Sequence, residues 1–246
     1  EAFVVSGVTL LSAEQVATAR ACKARDASSP IVIGCDPARN KDRTVIVIRR
    51  GREIVKWLKY DTMDEMTLAG ILGPLIERYQ AMKCFIDTGY GYGTIDRLRE
   101  LGFGQYVTGV HFGSKSLQPD VYSNKRAEMG DSVREWFAEG GVKIPDDDEF
   151  HMDMLAMPPL SPKGSRGVLA FPPKEKIIET FGRSPDVFDA LMLTFAFPVA
   201  SQVVQNQIKR VKLDQRRSSS PLSTVRDFNR TGGQKIKKFS TKVDFR

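Results

Sequence analysis

The sequence predicts an α/β protein built on a mixed sheet, an antiparallel meander followed by parallel strands, with helices flanking it. Three observations predict it. Short apolar runs of strand length stand at 31–36, 44–48, 54–60 and 83–87. The second and third are separated only by Arg50-Gly51-Arg52, which reads as a hairpin turn. Helical periodicity enters only after the third run, so the order β-β-β-α-β-α-β departs from simple β-α alternation and requires antiparallel strands first and parallel ones after.

Residues 1–29 are polar and weakly helical, and Ser12-Ala13-Glu14-Gln15 resembles a capped helix start ahead of Val16 and Ala19. They are expected to form a linker or the remnant of a preceding domain. Ile31-Val32-Ile33-Gly34-Cys35-Asp36 is a buried strand closing on an acid, and two further strands follow. Over 64–80, Met66, Leu68, Leu72, Leu75, Ile76 and Tyr79 keep helical spacing, with Gly70, Gly73 and Pro74 as places for a kink. Lys83–Asp87 is a second strand closing on an acid. The glycine-rich stretch 88–94 then leads into a helix around 95–101, and a fifth strand is expected over 105–112. Further on, the pattern gives an amphipathic helix over 123–139, another over 147–157, a hairpin over 160–171 and a helix over 174–181. A final helix opens at Ser184-Pro185-Asp186, with Ser184 as its N-cap.

Length and composition suit one main domain with extensions: 246 residues, 41% hydrophobic and 27% charged. No apolar run approaches the ~20 residues needed to cross a bilayer, and the first residues lack a secretory pattern. Cys22, Cys35 and Cys84 are too few and too scattered for a disulfide framework or a zinc site, so a reducing compartment is expected. The net charge of +7 is unevenly placed. Residues 205–246 carry twelve Lys or Arg against three Asp, a local +9 that leaves the rest at −2. That segment is expected to be a flexible basic arm able to attract a polyanion, or simply a solvated tail.

The chemistry concentrates on acids. Isolated carboxylates rarely enter a core unpaired, yet two strands end on Asp36 and Asp87, and a mostly apolar late helix holds Asp186 and Asp189, neighbours on one face. Adjacent strands would bring Asp36 and Asp87 together, and something positive must offset their repulsion. Hard oxygen donors suit Mg²⁺ or Mn²⁺. Asp186 is also explained as a first-turn acid matching the helix dipole, and Asp42 either as a further metal ligand or as a plain turn residue. Lys125 and Arg126 could contact phosphate or belong to a solvated helix face. His111 and His151 are not at ligand spacing, the run 146–149 reads as a helix N-terminal acid cluster, and Tyr90 and Tyr92 could stack on DNA or pack over their loop.

Three stretches resemble the acidic motifs of phage large-terminase nuclease domains. They are Gly34-Cys35-Asp36-Pro37-Ala38 with Asp42-Arg43-Thr44; Phe85-Ile86-Asp87-Thr88-Gly89-Tyr90-Gly91; and Ser184-Pro185-Asp186-Val187-Phe188-Asp189-Ala190-Leu191. Tyr122-Ser123-Asn124-Lys125-Arg126-Ala127-Glu128-Met129 also resembles a family element. The resemblance implies an RNase H-like sheet over residues 30–204 and two-metal hydrolysis of double-stranded DNA. Asp36 would bridge two Mg²⁺ or Mn²⁺ ions, Asp87 would hold one, and Asp186 or Asp189 would complete the other, with Asp42 as a further ligand. Arg39, Lys41, Lys125 and Arg126 would be the candidate DNA contacts. It further implies that residues 1–29 are the remnant of a preceding ATPase domain, that the portal and small terminase subunit are partners, and that the host cytoplasm is the setting. Other RNase H-like nucleases, of resolvase or transposase type, share the acid geometry. An actin-like or sugar-kinase ATPase would use the 89–93 glycines to cradle phosphate, and a non-catalytic DNA-binding assembly module would keep the acids as vestiges. No Gly-x-x-x-x-Gly-Lys-[Ser/Thr] run is present, so the chain is not itself the packaging motor.

Overall fold

The structure is a computed structural model and describes residues 9–23, 27–38, 43–61, 63–182 and 184–200. Its strands are β1 (Ile31–Asp36), β2 (Thr44–Arg50), β3 (Glu53–Tyr60), β4 (Lys83–Asp87) and β5 (Val107–Val110), in the spatial order β3-β2-β1-β4-β5. β1, β2 and β3 pair antiparallel, whereas β4 joins β1 and β5 joins β4 in parallel. The expected mixed sheet is therefore the observed one. The fifth strand is shorter than the apolar run that marked it, ending before His111.

Period-2 alternation sorts the strand residues between two cores. Ile31, Ile33, Cys35, Ile46, Ile48, Cys84 and Ile86 face one side, which α2 (Glu65–Tyr79) and α3 (Tyr92–Leu98) cover with Leu68, Leu72, Ile76, Ile95 and Leu98. Val32, Val45, Val47 and Phe85 face the other side. There they meet α4 (Lys125–Ala138), α5 (Asp148–Leu155) and α7 (Asp186–Leu193) through Met129, Val133, Phe150, Met154, Phe188 and Leu191. Asp64 caps α2 by accepting from the N–H groups of Met66 and Thr67, and the helix runs on through Pro74. α3 passes at Arg99 into a π-helical turn that bends at Gly102, whose φ is +90°.

Described residues ahead of position 30, among them 10–21, belong to the packed body. α1 (Ala13–Ala21) carries the expected capping box between Ser12 and Gln15, and Leu10, Leu11, Val16 and Ala19 are buried in the second core. The Leu10 N–H donates to the Met157 carbonyl and the Ile144 N–H to the Ala19 carbonyl. The helix looked weak in sequence because its buried side chains are only Val16 and Ala19, which leave little amphipathic signal; a partner surface from distant residues supplies the rest.

A two-stranded hairpin, β6 (Ser161–Lys163) and β7 (Val168–Ala170), precedes α6 (Lys174–Phe181). The expected capping of α7 by Ser184 is corrected. The N-cap position is Pro185, without a side-chain bond, and the buried Ser184 hydroxyl has no hydrogen-bond partner among the described residues. The Val187 N–H instead donates to the Asp153 carboxylate of α5 at 2.9 Å. An acid from another helix has taken over the role that sequence assigns to the nearest hydroxyl. No helix among the described residues is long and apolar enough to cross a membrane. Asp42, Arg39, Lys41 and the basic segment 205–246 lie outside the described residues.

Candidate metal centre

Strand parity fixes where the two strand-end acids point. Asp36 shares the parity of Val32 and Gly34, and Asp87 that of Phe85, so both carboxylates lie on the α7 face at the C-terminal ends of two adjacent parallel strands. α7 reaches them because β1 offers no side chain at Gly34. A Cβ there would stand 2.1 Å from the Ala190 carbonyl oxygen and 3.0 Å from the Thr194 Cγ2. Ala190 follows Asp189 directly, and Gly34 precedes Asp36 by two residues. The glycine contact therefore sets the third acid against the first.

The loop after β4 is equally tight. A Cβ on Gly91 would meet the Asp87 carbonyl oxygen at 2.4 Å and Pro37 at 3.1 Å, so this glycine lets the loops after β1 and β4 touch. The Thr88 N–H donates to the Val110 carbonyl at 2.9 Å, which holds the chain beside β5. The Gly93 N–H donates to the Glu65 carboxylate of α2 at 3.0 Å and the Thr94 hydroxyl to the Glu65 carbonyl at 3.1 Å. A carboxylate thus occupies the start of α3, where a phosphate-cradling loop would offer free N–H groups, which removes the structural support for the ATPase alternative. Tyr90 and Tyr92 are exposed on this loop rather than packed over it.

Electrostatically the cluster is short of positive charge. Burial, and then the neighbouring Asp189, pushes Asp36 well above the ordinary carboxylate range; Asp87 and Asp186 add to the rise and Lys174 opposes it. Burial also raises Asp87, against the Gly89 N–H, which lowers it. Asp189 is fully buried and holds an ion pair with Arg126, at 2.8 and 3.3 Å from the nearer guanidinium nitrogen, with the Lys174 ammonium 3.6 Å away. Burial acts to lower Lys174, but Asp189 and Asp36 raise it overall. Asp186 is half-buried one turn earlier. The question left between the two α7 acids is thus narrowed by position: Asp189 is the one enclosed with Asp36.

The four expected acids are brought to one place, while the two cations of the α4 motif part company. Arg126 joins the cluster, and its buried Nε has no hydrogen-bond partner among the described residues. Lys125 does not join it. Its side chain is 1% exposed, its ammonium donates to Glu128 at 2.7 Å, and it sits 4.6 Å above the Phe197 ring. Buried in an internal pair, Lys125 has no face to offer phosphate, and its expected DNA contact is corrected. Lys174 was not anticipated. The available signal was a lysine at the first position of a helix, where the dipole disfavours a cation.

Among the described residues no three His, Cys, Asp or Glu side chains converge closely enough to hold a metal ion as they stand, and Asp189 is turned to its two cations. The donor chemistry nevertheless fits a divalent cation of the Mg²⁺ or Mn²⁺ kind. All donors are hard carboxylate oxygens, and burial with like charge makes their ionised forms costly until a cation arrives.

No family model and no curated protein matches the sequence. Solved structures do match in fold. The nuclease domain of the large terminase subunit of bacterial virus Sf6 shares 20% identity and a TM-score of 0.60, covering 78% of this chain and 100% of that one; a variant of it has been solved with manganese. The large-terminase nuclease of thermophilic phage G20c with bound magnesium shares 15% identity and a TM-score of 0.55, covering 77% and 97%. The nuclease domain of the Thermus phage P74-26 large terminase shares 15% identity and a TM-score of 0.51, covering 76% and 94%. Over about three quarters of its length, the chain therefore shares its fold with the nuclease domains of phage large terminases.

Proposed function

We propose that this chain is the divalent-metal-dependent nuclease domain of a phage large terminase and cuts double-stranded DNA by two-metal hydrolysis of the phosphodiester bond. The observation that carries this reading is the convergence of Asp36, Asp87 and Asp189 on one face at the C-terminal ends of β1 and β4, with the first two pushed up by burial. Such a cluster stabilises nothing by itself.

Two bound ions would supply an activated water and stabilisation of the leaving oxygen. Asp36 would serve both ions, Asp87 would hold one, and Asp189 with Asp186 would complete the site of the second. Arg126 and Lys174, both paired with Asp189, deliver positive charge to a site that a phosphate diester must approach. Relatives of the same fold solved with manganese and magnesium support the choice of ion. On this reading the portal, the small terminase subunit and a preceding ATPase domain are partners and the host cytoplasm is the setting.

Incubating supercoiled plasmid with the protein and Mg²⁺ or Mn²⁺ tests the proposal. Nicked and linear products are expected, and chelator should abolish them. Cleavage that persists undiminished in excess EDTA removes the metal mechanism.

A further inference from the structure

Most cations of the described body are already engaged. Arg20, Arg43, Arg52, Lys59, Arg126 and Lys143 all pair with carboxylates, in the body's surface or its site. Lys115, Lys163 and Arg166 differ. All three are exposed, none of their side chains forms an ion pair or hydrogen bond among the described residues, and all line one cleft of about 680 Å³ between the 115–123 loop and the β6–β7 hairpin. Ser123 and Ser165 add hydroxyls, and Asp120 is the one carboxylate in the lining.

We propose that this cleft is a docking site for the sugar-phosphate backbone of duplex DNA, a proposal that rests on the nuclease reading and extends it beyond the acid cluster. Lysine, arginine, serine hydroxyls and glycine-rich backbone are the groups that bind phosphate oxygens without reading bases. Three cations without carboxylate partners, against the single carboxylate of Asp120, favour a polyanion over a protein partner.

The cleft is prebuilt on both sides. Glu128 accepts from the Ser116 hydroxyl and the Leu117 N–H, each at 2.7 Å, and its other oxygen takes the buried Lys125 ammonium. Lys125 therefore acts on DNA indirectly, by holding the loop that presents Lys115. On the opposite wall the Ser123 N–H donates to the Leu169 carbonyl and the Leu169 N–H to the Val121 carbonyl, which ties hairpin to loop. Gly164 and Gly167, both at positive φ, close the tip with a 3.2 Å bond and leave Lys163 and Arg166 projecting. Little ordering is left for binding to cost.

Position agrees with this role. Lys115 lies five residues past Val110, the strand partner of Asp87, so the chain places its Cα at most about 18 Å from Val110 and about 23 Å from Asp87. At about 3.4 Å per base pair, a phosphate held there lies within roughly seven base pairs of the acids along the duplex.

Binding of an arbitrary-sequence duplex, measured in chelator at several salt concentrations, decides the matter. The K115A/K163A/R166A chain is compared with wild type and with a K23A/R50A/K56A chain that removes the same charge elsewhere. The cleft variant is expected to bind at least tenfold more weakly at low salt. Its log K against log salt slope should flatten by about 2 to 3, since each phosphate contact contributes roughly 0.9, whereas the control should stay near wild type. Affinity and slope equal to the control overturn the proposal. Cleavage of the same duplex with Mn²⁺ separates the two readings. Normal cutting with no binding defect rejects the cleft alone. A binding defect with no cutting by wild type keeps the cleft and rejects the nuclease.

Discussion

The two ends of α7 both meet buried charge, and they treat it in opposite ways. At the C-terminal end, Arg49 donates to the Thr194 hydroxyl and carbonyl at 2.8 Å and to the Gly51 carbonyl at 2.9 Å, and lies 4.0 Å over the Phe195 ring. Burial, helped by Arg52, lowers it to about 10, so it remains a cation at neutral pH. Every neighbour that satisfies it belongs to the fold. At the N-terminal end Asp189 has cationic partners, while Asp36 and Asp87 form no ion pair among the described residues and stand pushed up. A helix C-terminus can complete a cation with its own carbonyls, whereas a cluster of acids needs a ligand that the chain does not contain.

The contrast is broken most severely by removing an acid. Asp36→Asn should bring cleavage to background. Losing an outer-shell partner of a metal ligand already costs about 10–100-fold, so a bridging ligand costs more than about 100-fold. Its melting temperature in chelator should stay level or rise, because one repelling charge is gone; a clear fall would mark Asp36 as structural. Next in size, Arg126→Ala strips Asp189 of its close partner. Breaking a buried pair from one side destabilises by about 3–5 kcal/mol, to be read by urea denaturation, and Mg²⁺ should recover part of that loss. If Mg²⁺ rescues nothing, Asp189 is not a ligand.

Arg49→Ala tests the other end. Losing charged hydrogen bonds to the α7 terminus should cost about 2–3 kcal/mol, while cleavage by the folded fraction stays within a few fold of wild type. A collapse of turnover without a stability change would overturn the division between the ends. The smallest effect is on pH. Asp36 and Asp87 have folded values above the ordinary ~3.9, so in chelator the folded state binds more protons than the unfolded one and stability falls as pH rises from that value through the raised ones. Asp36→Asn should flatten this decline, and saturating Mg²⁺ should remove it from wild type.

What the sequence revealed, and what it hid, follows the same division. Asp36 and Asp87 were legible because each closes an apolar run, and strand parity then needed only the register to place both on one face. The enclosure of Asp189 could be suspected from Phe188 and Leu191 beside it. Its partners could not: Arg126 and Lys174 arrive from separate helices, and no local pattern reports a contact across such separations. Lys125 misled because a lysine beside an arginine at a helix start reads as a basic face, while its true partners, Glu128 and the Phe197 ring, come partly from the end of the described chain. Asp153 displaced Ser184 as the α7 cap for the same reason. Local rules name the nearest group able to do a job, and tertiary packing can supply a better-placed one.

The backbone contact at Gly34 has a consequence for how this site can vary. Side chains that meet in a core settle against one another through rotamers, and a substitution nearby spreads through them as small shifts. Here a strand and a helix carbonyl touch directly, with nothing between them to turn, and each acid lies within two residues of that joint. The span from Asp36 to Asp189 thus inherits the stiffness of a sheet and a helix. Repacking the surrounding core can change how firmly the frame is held, but the gauge of the acids is insulated from it.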